Sequence, residues 1–288
     1  MIDPTPYVGP AYELYKGLRE KGVGRSAHSR FRRTINWIKS GNTQVAIFGA
    51  GGTGKSTLGK LILSGDPSSV DPTYDMSDHL ERINLPGERS AQFLIVPGQA
   101  DYQKTEWRKA YDRLNSARSL LVINVVAYGL HAVGGKSELE REAIPDEFFG
   151  ADREAAYATY AKDRLQTEQE LHEAVLSEIS GIKKPIRYLT IVTKENLWWR
   201  SYDQVRQHYG AAYTDVLRAA TAAFAKRGVE FSYSFLPVAQ THSNLVVERA
   251  SERAVLKSVA EGYDMALHLA SVARLLDKFD ELIGLAAD

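Results

Sequence analysis

Short apolar runs, rich in β-branched residues, punctuate the chain at Gln44 to Phe48, His79 to Leu85, Ala91 to Val96, Leu120 to Ala127, Ile186 to Val192 and Phe231 to Leu236. Segments with helical spacing separate most of them, so the pattern predicts an α/β fold: a mostly parallel six-stranded sheet with helices on both faces. Pro86-Gly87, between the second and third runs, is a hairpin signal that makes one edge strand antiparallel. After the fourth run comes an interval without periodicity, Gly129 to Ala151, longer than ordinary connections and read as an insert. The next helix can be N-capped by Asp152 and ended by Gly181, with Ala158, Ala161, Leu165, Leu171, Ala174 and Val175 on its buried face. Leu245 to Leu285 reads as one or two helices broken near Gly262. The stripe Leu269, Val272, Leu276, Phe279 and Ile283 suits a helix covering the sheet better than a dimer seam.

The beginning of the chain reads differently. Residues 1 to 10 carry Pro4, Pro6, Gly9 and Pro10 and should be extended. Ala11, Leu14, Tyr15 and Leu18, then Phe31, Ile35 and Ile38, recur at helical spacing. The expected organisation is an N-terminal extension over 1–42, a nucleotide-binding domain over 43–243 with its insert at 129–151, and a C-terminal helical extension over 244–288.

Composition narrows the functional classes. Cysteine is absent, which excludes disulfide frameworks, cysteine-ligated metals and thiol catalysis. The 36 basic and 36 acidic residues balance to a net charge of zero, which opposes nucleic-acid binding through a global positive field. No window approaches the roughly 18 apolar residues of a membrane span, and the start lacks a signal-peptide core. The expected location is therefore cytoplasmic. Basic residues do cluster at Lys16, Arg19, Lys21, Arg25, Arg30, Arg32, Arg33 and Lys39, against Glu20 alone. The segment 25–39 could meet an anionic membrane surface, but packing on the domain through Phe31, Ile35, Trp37 and Ile38 is the favoured reading, since a second anchor is lacking.

The candidate chemistry lies behind the first strand. Gly49, Gly54, Lys55 and Ser56 match G-x-x-x-x-G-K-[ST] within FGAGGTGKST, between a strand and a helix beginning near Lys55. Glycines let successive backbone N–H groups face a phosphate, the helix N-terminus adds its dipole, Lys55 can reach the β- and γ-phosphates, and Ser56 can ligate Mg²⁺. Gly51, Gly52, Thr53 and Thr57 complete the candidate loop. Three further motifs follow in order: DPT at Asp71 to Thr73, PGQ at Pro97 to Gln99, and TKEN at Thr193 to Asn196.

With these motifs the chain resembles the Ras and Arf branches of the small GTPases over approximately Gln44 to Gln240. The Arf side is suggested by WRKAY at Trp107 to Tyr111 and by the amphipathic segment ahead of the domain. The resemblance implies a P-loop NTPase domain that binds GTP and GDP with Mg²⁺. Thr73 would bind Mg²⁺ and sense the γ-phosphate, Gly98 would donate its N–H to that phosphate, and Gln99 would orient the attacking water. Thr193, Lys194 and Asn196 would face the base, and the N–H of Ala239, in VAQT, would read a base carbonyl. Lys55, Thr73 and Gln99 are thus the candidate catalytic residues, and Ser56 and Thr73 the candidate metal ligands.

Two positions depart from the family pattern. Ile95 stands where a carboxylate would hold a metal-bound water; Asn124, Asp71 and Asp75 are candidates for that duty. Asn196 stands where aspartate would accept two hydrogen bonds from guanine, and an amide offers one acceptor and one donor. Guanine selectivity should fall, and the same amide suits xanthine or an adenine edge.

The leading expectation is a GTP-hydrolysing switch, slow without an activating protein partner because no arginine finger can be assigned. The alternatives are a nucleotide-binding scaffold that no longer hydrolyses, an NTPase with relaxed base choice (XTP or ATP), and, last, an ATP-dependent phosphotransferase.

Overall fold

The structure is a computed structural model, and it describes residues 43–64, 81–84, 92–96, 119–134 and 144–284. The N-terminal extension, the DPT and PGQ motifs and WRKAY lie outside these residues.

A parallel sheet buried on both faces needs strands that are apolar at every position, and β4 (Ser119–Val126) follows that rule closely. Its Leu120, Val122 and Val126 enter one core, while Leu121, Ile123 and Val125 enter the other. The strands are β1 (Thr43–Phe48), β2 (Glu81–Asn84), β3 (Gln92–Ile95), β4, β5 (Ile186–Val192) and β6 (Phe231–Pro237). They are ordered β2-β3-β1-β4-β5-β6. Five strands run parallel, and β2 completes the sheet as the antiparallel edge beside β3. This is the mostly parallel α/β sheet with one antiparallel edge that the apolar runs predict. β1 sits centrally, between β3 and β4, so the loop leaving its end opens at the middle of the sheet's carboxyl edge, where ligands bind in open α/β folds.

Helix α1 (Lys55–Ser64) and the last helix, α5 (Met265–Gly284), cover one face. Leu58, Leu61 and Ile62 of α1 meet Val272, Leu275, Leu276, Phe279 and Leu282 of α5 around Val45, Ile47 and Ile123. The other face carries α2 (Arg153–Ile179) and α4 (Tyr202–Ala225). A single turn, α3 (Glu195–Trp198), follows β5.

Several expectations are corrected. The segment after residue 244 begins as a β-hairpin, β7 (Leu245–Arg249) and β8 (Glu252–Lys257), and only α5 is helical. Leu245, Val247, Ala254 and Leu256 alternate into the core, a period of two that decides for strands. The turn escapes notice because Ala250, not glycine or asparagine, takes its left-handed position (φ 51°). Both the hairpin and α5 belong to the two cores rather than forming an appendage.

On α2, Ala158 and Ala174 are exposed, and the buried face is Tyr157, Glu168, Leu171, His172, Val175, Leu176 and Ile179. Asp152 occupies the N-cap position, but its side chain makes no capping bond. Asn124 faces α2, where its Nδ2 lies 3.5 Å from His172 Nδ1. It therefore joins a polar seam inside the core rather than taking over a metal-water role at the loop.

That seam sets a pH dependence. His172 Nδ1 pairs with Tyr188 OH at 2.8 Å, and its ring stacks on Tyr213 at 4.1 Å between centroids. Burial pushes His172 down to about 3, and burial with the neighbouring His242 pushes His268 down to about 4. Below about pH 6.5 the unfolded chain takes up protons that these folded rings resist, so stability falls from pH 6.5 toward pH 3. At pH 5 each ring should contribute roughly 2 kcal/mol of that loss. Urea unfolding of wild type and His172→Phe across this range checks it: equal acid sensitivity would dismiss His172 as a cause.

Candidate functional site

β1 ends at Phe48, and the chain turns through Gly49 to Gly54 before α1 begins at Lys55. Two glycines show why the turn takes no side chain. At Gly52 (φ +76°) a Cβ would lie 2.4 Å from the carbonyl oxygen of Ala132, and at Gly54 (φ +91°) 2.2 Å from Gln240 Oε1. Beside Gly51, by contrast, nothing lies within 4 Å of a Cβ position.

The carbonyls of this loop are held outward by donors from distant parts of the chain. Gly52 O accepts from Ala132 N–H at 2.9 Å and from Lys194 Nζ at 3.1 Å. Thr53 O accepts from Thr193 Oγ1 at 2.7 Å, and Gly54 O from Gln240 Nε2 at 2.9 Å. In a trans peptide the N–H opposes the C=O, so fixing these carbonyls outward turns the following N–H groups toward the concave side. A glycine turn running into a helix N-terminus in this way favours anions. Lys55 Nζ folds back over it and donates to Ala50 O at 2.8 Å; Thr53 Oγ1 donates to the same carbonyl at 2.9 Å. Ser56 and Thr57 lie half-buried in the first turn of α1.

The turn after β5 ties these parts together. Lys194 adopts the left-handed conformation (φ 60°), and its Nζ donates to Gly52 O and to Leu130 O. Burial lowers this ammonium to about 7, against the pull of Glu168. Burial raises the Glu195 carboxyl, which Ser271 and Arg274 hold by hydrogen bonds; Arg274 Nη2 lies 2.9 and 3.0 Å from its two oxygens. Asn196 Nδ2 donates to Ser243 O at 2.8 Å, while Asn196 O accepts Ala260 N–H at 2.7 Å. Trp198 Nε1 closes the turn by donating to Thr193 O at 2.7 Å.

Behind the loop stands a buried carboxylate that sequence reasoning missed. Glu168 Oε1 accepts from Ala127 N–H at 2.8 Å, Gly129 N–H at 3.2 Å and His131 Nε2 at 2.7 Å, and Oε2 accepts from Tyr209 OH at 2.5 Å. Burial alone would raise it, but bonds from His131, Tyr209 and Ala127 hold it below the usual carboxylate range. Burial lowers His131, so the pair is best described as a charged carboxylate and a neutral imidazole whose Nε2–H donates. Tyr157 OH donates to His131 O. Together they fix the segment whose Ala132 N–H holds Gly52.

The sequence-derived residues thus divide into three groups. Gly49, Gly51, Gly52, Thr53, Gly54, Lys55, Ser56 and Thr57 form the loop, and Thr193, Lys194 and Asn196 stand beside it. Ala239 corrects its expectation: its N–H donates to Ser271 Oγ at 2.7 Å, so it does not stand ready for a base carbonyl. Thr73, Gly98 and Gln99 lie outside the described residues. Ile95 is buried with Val45, Ile47 and Leu58, an apolar layer unsuited to the carboxylate it replaces. Gln240 and Ser271 were also missed; both act across long sequence separations that local patterns do not carry.

The glycine geometry gives a direct test. Gly52→Ala combines a positive φ with a contact on Ala132 O. It should destabilise the fold by about 1–3 kcal/mol and weaken nucleotide retention at least about tenfold. Thermal melting and equilibrium dialysis would show this, and unchanged retention would mean that the loop's shape does not matter.

No family model and no curated protein matches the chain. Among solved structures, the mammalian SRP receptor is 14% identical, with a TM-score of 0.39, over 82% of this chain and 99% of that one. An ADP-ribosylation-factor-like GTP-binding protein, the small COPII coat GTPase SAR1 of Encephalitozoon cuniculi in complex with GDP, is 13% identical with a TM-score of 0.38. That match covers 95% of this chain and 94% of the other. Likeness at this level assigns no role to any residue here.

Proposed function

We propose that this small-GTPase-like P-loop domain is a nucleoside-triphosphate switch, with GTP as its leading ligand, Mg²⁺ as its cofactor and slow hydrolysis as its timer. The observation that supports it is the glycine loop, whose carbonyls are held by Thr193, Lys194, Ala132 and Gln240 while Lys55 folds back onto Ala50 O. A surface turn would not need bonds from three other segments; a loop shaped for phosphate oxygens does.

In this reading the loop amides and Lys55 hold the phosphates. Ser56 and Thr73 would hold Mg²⁺, and a bound Mg²⁺ would neutralise charge developing on the phosphoryl oxygens. Gly98 would donate to the γ-phosphate, and Gln99 would orient a water for attack. Ordering of the segments around Thr73 and Gly98 by that phosphate, and their release after hydrolysis, would make the switch. The open side of Gly51 leaves room for that water and for a group from an activating protein. A protein effector is the second expected partner, and the cytoplasm the expected location. Among the described residues no helix is long and apolar enough to cross a membrane.

A second reading, a nucleotide-binding scaffold without turnover, is favoured by the apolar burial of Ile95. A chromatographic time course with Mg²⁺ and GTP, ATP or XTP separates the two. The switch predicts a diphosphate accumulating above a Lys55→Ala blank and suppressed by Gln99→Leu. Retention of intact nucleotide would support the scaffold, and neither retention nor turnover would defeat both.

A further inference from the structure

The turns after β5 and β6, on the same carboxyl edge of the sheet, reach the glycine loop through Thr193, Lys194 and Gln240. Because these three side chains bond the loop directly, a base attached to phosphates held at 49–57 would meet the turns at 193–196 and 238–243. Purines differ in the donors and acceptors on their edges. A protein tells them apart strongly only with polar groups that stay unpaired unless the right base arrives.

On this wall such groups already bond to the protein. Ala239 N–H, the donor suited to a carbonyl at purine position 6, donates to Ser271 Oγ at 2.7 Å, and both residues are buried. Asn196 turns its Nδ2 to Ser243 O at 2.8 Å. A carbonyl can only accept, so this contact fixes which end of the amide faces residue 243. Lys194 Nζ serves two carbonyls, Glu195 is held by Arg274, and Thr241 Oγ1 and Ser243 Oγ pair with each other at 3.0 Å. Glu195, the one carboxylate among residues 193–196 and 238–243, has both oxygens taken by Arg274.

Resting on the nucleotide reading above, we propose that the protein recognises nucleoside di- and triphosphates through their phosphates, with little discrimination between purine bases, and that Ser271 is a specificity-determining residue that withholds the Ala239 N–H. Ser271 belongs to α5 and is buried with Ala239.

The test measures equilibrium affinities of the full chain for GDP, ADP and XDP in Mg²⁺, in wild type, Lys55→Ala, Ser271→Ala and Ser271→Thr. Wild type should bind the three within about tenfold of one another, and Lys55→Ala should weaken all three together. Ser271→Ala frees the Ala239 N–H, so GDP and XDP, which carry a 6-carbonyl, should gain several-fold over ADP. Ser271→Thr keeps the hydroxyl and should behave like wild type, which separates loss of the bond from loss of packing. A wild-type preference beyond about tenfold for any one base overturns the proposal and leaves the phosphate reading standing. An unchanged ratio in a folded Ser271→Ala overturns the role of Ser271. Binding of none of the three overturns the nucleotide reading, and this proposal with it.

Discussion

Lys55→Ala should reduce affinity for a Mg²⁺-nucleotide by about a hundredfold or more, close to 2.7 kcal/mol, while leaving the fold intact. In the structure Lys55 Nζ bonds the carbonyl of Ala50 at 2.8 Å, so the ammonium is held against the glycine loop. Bonds between an ammonium and phosphate oxygens are charge-assisted and roughly twice as strong as neutral ones. The loop itself should survive, because Gly52, Thr53 and Gly54 are held by donors other than Lys55. Lys55→Arg should recover little, since the planar guanidinium is bulkier and differently directed. The check is nucleotide binding measured beside circular dichroism. A folded Lys55→Ala that binds as wild type does would end the phosphate reading of the loop.

Glu168→Ala should destabilise the protein by about 3–5 kcal/mol, the range for removing one member of a buried charged network. The substitution would leave the amides of Ala127 and Gly129 without an acceptor, and Tyr209 and His131 without theirs. Glu168→Gln retains one acceptor oxygen and should lose less. Because the folded carboxyl titrates below its usual range, its contribution is present above the ordinary carboxylate range and is lost as pH falls through it. Urea midpoints of wild type and Glu168→Ala should therefore differ at neutral pH and approach each other as pH falls. Since Glu168 also fixes the segment bearing Ala132, nucleotide retention should weaken with stability. A loss below about 1 kcal/mol would mean that surrounding water replaces the carboxylate without penalty.

The central strands β1, β4 and β5 were readable because both faces of the sheet are buried there, which makes them nearly unbroken apolar runs; Ile186–Val192 matches its expectation to the residue. The hairpin was not, since its turn uses Ala250 in a left-handed conformation rather than the glycine or asparagine that such turns favour. The glycine loop was legible as a local motif, and so were Thr193 and Lys194 as members of one. Glu168 was not, because a glutamate in a helix reads as a solvent residue until the four donors around it are known. Ser271 escaped for a related reason: serine on an otherwise apolar helix face carries no signal of the amide it meets. Asn124 was legible as an oddity in an apolar strand, but its partner, His172, came from another element.

The donors that hold the glycine loop have a consequence for biosynthesis. Thr193 lies 140 residues from Thr53, and Gln240 lies 186 residues from Gly54. Contacts of such separation form only after long stretches of chain have been ordered. On a ribosome the loop emerges before Thr193, Gln240 and α5. A nascent chain stalled before β6 would carry the whole motif yet lack the Gln240 and Ser271 contacts, and a nucleotide could then assist only the completed chain to fold.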